Sequence, residues 1–342
     1  MTARQPTVED VARRAGVSRQ TVSNVLNTPE IVRAPTRARV EEAIAELGYA
    51  PSMAARRLRT RRSETIGIRL DPYAGGISGI VLDRFVHALT DQATPRGLRL
   101  LVYAADDADD EIARIRRLRE GGEIDRVVLT GTFEGDPREA WLAEHGVPFV
   151  AFGRPWGEPG TGAQMGDPAR PWVDVDGAAG TRAATFHALG EGDRVAFLGW
   201  PAGSGTGDDR ERGWREALGG EGLRWSTLDS VAEARATVER ELARERVDAV
   251  VCASDALALG AHLAASHAGR PELLVVGFDN TPVAEALGIA SVEQRPERVA
   301  EAVLDLLVAD ASAGDVGAGP WHRLIEPVLV VREREYFSPQ RP

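Results

Sequence analysis

From residue 64 onward, apolar runs of strand length alternate with amphipathic stretches of helical length, and that alternation restricts the folds open to the chain. The runs are ETIGIRL (64–70), LRLLVYA (98–104), IDRVVLTG (124–131), VPFVAFG (147–153), RVAFLGW (194–200), DAVVCAS (248–254) and LLVVGFD (273–279). Stretches such as 84–93, 109–119, 208–218 and 256–266 place apolar residues at helical spacing between them. Strands apolar on both faces and separated by helices predict parallel sheets covered by helices on each side. The chain has 342 residues. That is too long for one small domain and predicts a head of about 60 residues before a large two-lobed core. The Gly/Pro-rich stretch 153–171 is the expected crossing between the lobes.

The head follows another pattern. TVEDVARRAGVSRQTVSNVLN (7–27) reads as two short helices joined by a tight turn. Thr7 is a good N-cap, Asp10 suits the positive end of the first helix, and Val8, Val11 and Ala12 form its inward face. Gly16 tolerates the positive φ that the turn requires. Ser18 caps a second helix whose apolar face is Val22, Val25 and Leu26. Arg19, Gln20, Ser23, Asn24 and Asn27 are left pointing outward. Arg pairs with guanine, and Gln or Asn with adenine, through two hydrogen bonds in the major groove. A third helix over 36–47, stopped by Gly48, brings Val40, Ile44 and Leu47 to a small core. Taken alone, a helix–turn–helix of this kind also fits a plain three-helix bundle.

PSMAARRLRTRR (51–62) is a second device of another kind. A helix of two turns is marginal in water, so residues 52–60 are expected to be disordered in free protein and to fold against DNA. Leu58, flanked by Arg56, Arg57 and Arg59, suits an apolar wedge in a minor-groove base step while the arginines hold phosphates. Ala54 and Ala55 leave a small-residue face for a symmetry mate. Read by itself, the segment also fits a solvated basic linker.

Charge divides at the same place. Residues 1–64 carry 12 Arg against 7 acidic side chains, whereas the later residues carry 29 Arg against 45, for a formal net charge of −11. A basic head on an acidic body suits a protein that holds nucleic acid at one end. The single cysteine, Cys252, lies in an apolar run and reads as inert core; with no second Cys there is no internal disulfide, as in a reducing cytosol. MTARQPTVED has no apolar signal core and no apolar run reaches the about 18 residues of a membrane span. The protein is expected to be cytoplasmic, without membrane contact.

In parallel sheets, ligand-binding residues collect at the carboxyl ends of the strands. Those ends supply Asp71, Arg154, Asp176, Arg210, Ser254-Asp255 and Asp279-Asn280. Carboxylates that accept from hydroxyls, with an Arg that donates to ring or hydroxyl oxygens, are the chemistry of sugar binding. Trp156 or Tyr73 adds a flat apolar face. Ordinary solvated loop charges fit the same positions singly.

Residues 7–67 resemble the lactose-repressor (LacI/GalR) family of bacterial transcription regulators, through DVARRAGVS, TVSNVLN, the Leu47–Pro51 junction and the AARRL of Ala54–Leu58. The remainder resembles that family's effector domain, which has the fold of periplasmic sugar-binding proteins, through VDVDGAAG, RERGW, ASDALALG, VVGFDNT and EPVLVVRE. The resemblance implies an all-α helix-turn-helix head with a hinge helix, joined to an α/β two-lobed periplasmic-binding-protein-like body with parallel sheets. Its expected domains are 1–50, a hinge at 51–63, and a body at 64–342. Within the body the N-lobe is expected over about 64–165 and 295–325, and the C-lobe over about 166–293 and 326–338. By position, Arg19, Gln20 and Asn24 fall on base contacts, Thr7, Ser18, Thr21 and Asn27 on phosphate contacts, Ala55 and Leu58 on the minor-groove wedge, and Arg59 at the operator centre. Arg210, Asp176, Asp279, Asp71, Ser254 and Gln294 fall on effector contacts, with Ser254 where the family more often has Asn. The implied partners are near-palindromic operator DNA, a small effector of sugar type and a second copy of the chain. A dimer is favoured over a tetramer because no leucine heptad follows residue 333. The implied function is a repressor of carbohydrate-utilisation genes released by a sugar; a corepressor-dependent regulator with a purine-type ligand, or an activator, is the alternative.

Other classes fit less well. Gly203-Ser-Gly-Thr-Gly207 follows a strand and precedes a helix but lacks the lysine and spacing of a phosphate loop, and reads as a flexible cleft loop leading to Arg210. The six histidines are scattered, and no GxSxG elbow is present. No cofactor, metal or catalytic residue is expected. A transport-type solute-binding protein fits the body but not the head.

Overall fold

The computed structural model describes residues 6–49, 63–70, 79–157, 170–312 and 321–332. Ala55, Leu58 and Arg59 of the expected hinge, and the strand-end residues Asp71 and Tyr73, lie outside the described residues. The chain divides into two compact units, Met1–Ser63 and Glu64–Pro342.

The first unit packs three helices, Val8–Ala15, Arg19–Asn27 and Ala34–Leu47, about Val11, Val22, Val25, Val40 and Ala43. Gly16 and Gly48 end the first and third helices in the left-handed region, at φ 64° and 61°, where a Cβ would be strained. The third helix begins two residues before the expected start, with Pro35 in its first turn, where a missing N–H costs nothing. Tyr49, just beyond it, closes the core.

The second unit is built on two six-stranded sheets. The first contains β1 (Thr65–Arg69), β2 (Arg99–Tyr103), β3 (Arg126–Leu129), β4 (Phe149–Phe152), β5 (Trp172–Val175) and β11 (His322–Ile325), all parallel, in the order β11-β5-β4-β3-β1-β2. The second contains β6 (Val195–Gly199), β7 (Arg224–Ser226), β8 (Ala249–Cys252), β9 (Leu274–Phe278), β10 (Ala290–Glu293) and β12 (Val328–Val330), in the order β12-β10-β9-β8-β6-β7. Among the described strands of this sheet, only β12 runs antiparallel to its neighbour.

Alternation along each strand explains the layers. Val128 and Val150 pack with Phe85, Leu89, Val299 and Val303 on one face of the first sheet, while Val127, Leu129 and Phe149 pack with Ile115 and Leu142 on the other. The second sheet buries Phe197, Trp214, Leu257, Val276 and Phe278 in one continuous core. Cys252 lies within it, and burial pushes its thiol pKa well up. No helix among the described residues is long and apolar enough to cross a membrane.

Two expectations are corrected here. β5 belongs to the first sheet, paired with β4 and β11, so the chain leaves the first lobe after Val175 and not within 153–171, and the lobe boundary expected at 165/166 moves past β5. The other crossings follow Glu293 and Ile325, where strands of one sheet give way to elements of the other. Within the loop after β6, Asp208 accepts from the backbone of Gly203 at 2.9 and 3.2 Å, and Ser204 from Gly207 at 3.0 Å.

In each sheet the chain steps to one side and then crosses to the other, placing a switch point between β1 and β3 and another between β6 and β8. Crevices for ligands form outside the carboxyl ends of strands at such points.

Candidate DNA-reading helix and effector cleft

Thr7 opens the first helix with a capping box: its backbone N–H donates to the Asp10 carboxylate at 2.9 Å, and the Asp10 N–H returns to its hydroxyl at 3.4 Å. Ser18 opens the second, its hydroxyl accepting from the Thr21 N–H at 3.1 Å and lying 2.9 Å from the Thr21 hydroxyl. Beyond that cap, Arg19 and Gln20 are exposed and Thr21 and Asn24 half-buried, with Asn27 ending the helix. Gln20 donates to the Asn24 side chain at 2.9 Å, so the two amides stand one turn apart on one face. Arg19 reaches back to Glu9 at 2.9 Å. An exposed pair of this kind is worth about 0–1 kcal/mol, so it is readily exchanged for a stronger acceptor.

Arg210 is the centre of the cleft. It sits in the second turn of the helix Thr206–Leu218, which follows β6, and is 5% exposed. Its Nη1 donates to the carbonyl of Ala253 at the end of β8 and lies 3.7 Å from Asp279 Oδ1. Its guanidinium lies 3.7 Å from the ring centre of Phe278 and 5.4 Å from that of Trp200, within cation–π range. Nε of Arg210 and Nε1 of Trp200 are buried without a hydrogen-bond partner among the described residues. Buried donors are rarely left without a partner, and water or a ligand oxygen can supply one.

Asp279 follows β9 at φ 115° and is held by its N–H to the Val292 carbonyl at 2.8 Å and by Gln294 Nε2, which donates to Oδ1 at 2.6 Å. Burial pushes its carboxyl up to about 7, against the pull of Arg210. Burial draws the Arg210 guanidinium pKa down, against the carboxylates of Asp279, Asp174, Asp229 and Asp209. Sequence reasoning thus brought Arg210, Asp279 and Gln294 to one place and missed Trp200, Asp229, Asp174 and Asp209. The strand-end rule also points to Trp200 after β6 and Asp229 after β7.

Other residues expected at the site also make hydrogen bonds within the fold. Asp176 caps the helix Gly177–Leu189, accepting from the Ala179 N–H at 2.9 Å. Ser254, whose hydrogen bonds were open from sequence, caps Asp255–His267 and gives its only hydroxyl proton to Asp229 at 2.6 Å. Asp255 accepts from the Ser291 hydroxyl at 2.6 Å and the Thr281 N–H at 2.7 Å, stapling β10 to the loop after β9.

Two contacts span the cleft between the carboxyl edges of the sheets. Arg154, after β4, donates to Asp174 at 2.6 Å and to Asp209 of the other lobe at 3.3 Å. Trp156 lies against Gly205, where an added Cβ would fall 2.5 Å from the indole. Arg154 and Arg210 thus lie among the carboxylates of Asp174, Asp209, Asp229 and Asp279, and Arg212 pairs with Asp209 as well.

Comparison with known proteins agrees with this geometry. Residues 7–52 match the bacterial regulatory proteins of the lacI family, and residues 183–333 the periplasmic binding protein-like domain. The HTH-type transcriptional regulator CelR of Thermobifida fusca is 35% identical, over 96% of this chain and 98% of its own. A solved complex of transcriptional regulator CelR with cellobiose is similar at 31% identity and TM-score 0.67, covering 96% of this chain and 99% of that one. The lac repressor dimer bound to operator and the anti-inducer ONPF, at 24% identity, shares the fold with TM-score 0.76 over 96% of this chain and 98% of its own. These relatives are DNA-binding regulators. The chain belongs to the lacI family of bacterial regulatory proteins and is a DNA-binding transcriptional regulator.

Proposed function

We propose that this regulator is a dimeric repressor whose grip on a near-palindromic operator is released when a neutral sugar fills the Arg210 cleft. The observation that carries this reading is the pair of buried donors without a partner among the described residues, Arg210 Nε and Trp200 Nε1, beside the Asp279 carboxyl. The remaining lone pairs of the cleft's carboxyl groups accept from hydroxyls, their acidic character disfavours phosphorylated or carboxylated effectors, and the two donors meet sugar oxygens. The binding of cellobiose by the CelR relative supports a neutral saccharide. Arg210, Asp279 and Asp229 are assigned as hydroxyl contacts, with Gln294 orienting Asp279. Asp176 and Ser254 act through the helices they cap, and Asp71 is assigned to the first lobe's contribution. No catalytic step is assigned to any of them, and a regulator of chromosomal operators works in the cytoplasm.

On DNA, Arg19, Gln20 and Asn24 are assigned to base edges in the major groove and Thr7, Ser18, Thr21 and Asn27 to phosphates. Ala55 and Leu58 wedge the minor groove at the operator centre, with Arg59 beside them. Sugar releases DNA only through its differential affinity for two lobe arrangements. Thermal-shift measurements with neutral mono- and disaccharides, sugar phosphates and purines test the assignment, because a ligand raises apparent stability by mass action. A shift with cellobiose or another neutral sugar is expected. A shift with only a purine or a sugar phosphate would overturn it.

A further inference from the structure

Asp279-Asn280 and Glu293-Gln294 lie side by side, and each residue pair serves a different neighbour. Gln294 donates to Asp279 in the cleft. One residue along, Asn280 Nδ2 donates to Glu293 Oε2 at 2.8 Å. Glu293 ends β10 at the second lobe crossing, and its carboxylate has three further donor contacts. Arg84 Nη1 approaches its two oxygens at 3.2 and 3.0 Å, and the Arg295 N–H donates to Oε1 at 2.8 Å. Arg84 belongs to the first lobe, on the helix Ile80–Ala93 that packs by Phe85 and Leu89 against Val299 and Val303.

The backbone here is strained. Asp279, Asn280 and Arg295 hold φ of 115°, 49° and 59°, conformations that persist only where the surroundings over-determine them. Glu293 supplies part of that constraint for Asn280 and Arg295, and Arg332 supplies more by donating to the side-chain Oδ1 of Asn280 at 2.5 Å. Asp279 is joined to Asn280 along the chain and Gln294 to Glu293, two short paths out of the cleft. Both reach the Arg84 ion pair, which is partly shielded from water, with side chains 32% and 16% exposed.

We propose that Glu293 is the positioning residue through which the state of the Arg210–Asp279 site reaches the first lobe, by way of Arg84. Its regulatory use rests on the sugar-release reading, but the coupling itself is testable without any ligand. Amide hydrogen exchange of the full-length chain, read by mass spectrometry, serves as the measurement. Asp279→Asn, which alters the cleft and not the ion pair, should speed exchange over 80–93 by about threefold or more. The same substitution in a Glu293→Gln background should add nothing, because the connection is already cut. If Asp279→Asn does not fold by circular dichroism, Gln294→Leu replaces it with the same expectation. An unchanged 80–93 segment in the folded single variant, or an equal increment in both backgrounds, would overturn the proposal. A sugar panel that fails to bind while 80–93 still responds would sink the sugar reading alone.

Discussion

Arg210 and Asp279 stand 3.7 Å apart in the cleft, both more than nine-tenths buried, on segments that follow different strands of one sheet. Phe278, one residue before Asp279, lies beneath the guanidinium, so the pair is fixed by packing as well as by charge.

Removing one partner leaves the other's charge stranded. Breaking a buried pair costs about 3–5 kcal/mol, but Asp279, already pushed up to about 7, can take a proton and offset part of it. Arg210→Met is expected to lose about 3 kcal/mol in urea denaturation and to show no thermal shift with any sugar. Arg210→Met with Asp279→Leu should recover most of that loss. A double variant less stable than the single would contradict the pairing.

The raised carboxyl of Asp279 sets the sign of a pH dependence. Its unfolded value is near the ordinary 3.8 and its folded value about 7, so between them the folded state binds the extra proton. Its contribution to stability is full below about pH 4, declines by up to about 1.4 kcal/mol per pH unit as pH rises, and is gone above about pH 7. Unfolding free energies at pH 5, 6, 7 and 8 for the wild type and Asp279→Asn should therefore differ by an amount that falls with pH. A difference that rises with pH would reverse the assignment.

Gly205 is pinned by Trp156 across the cleft, and its φ of 63° already disfavours a side chain. Gly205→Ala should push the indole away and weaken sugar binding about tenfold, about 1.4 kcal/mol. Tryptophan emission, compared with Trp156→Phe, reports the displacement. Unchanged emission and affinity would remove this contact from the closed cleft.

In the head, the outward side chains and the caps should behave differently. Selection from a random duplex library is expected to change the preferred bases for Arg19→Ala and Gln20→Ala. Ser18→Ala should weaken all sequences together and cost about 1 kcal/mol of head stability. Altered preference in Ser18→Ala but not in Arg19→Ala would invert these roles.

The alternation of apolar runs and helices made the layered body legible, and the resemblance located Arg210, Asp279 and Gln294. What escaped has physical reasons. β5 is four residues long and interrupted by Asp174, whose carboxylate is spent on Arg154. Its neighbour β11 lies almost 150 residues away in the chain, so no local pattern assigns β5 to the first lobe. β7 spans only three residues, too short to register as a strand in the sequence pattern, so Asp229 becomes a strand-end residue only once the sheet is known. Trp200 ended an apolar run and read as strand, although its indole is at the cleft. Asp176 and Ser254 lie where position put them, but their hydrogen bonds cap helices, the role that Asp and Ser just before a helix favour and that a reading by strand ends alone passes over.

The most direct measurement is fluorescence anisotropy of a duplex chosen by that library selection, bound to the full-length protein and titrated with the sugar that gives the largest thermal shift. Release of the duplex from the wild type, with retention by Arg210→Met at the same concentrations, is the predicted result. A wild-type complex that stays bound or tightens at saturating sugar would contradict repression relieved through this cleft.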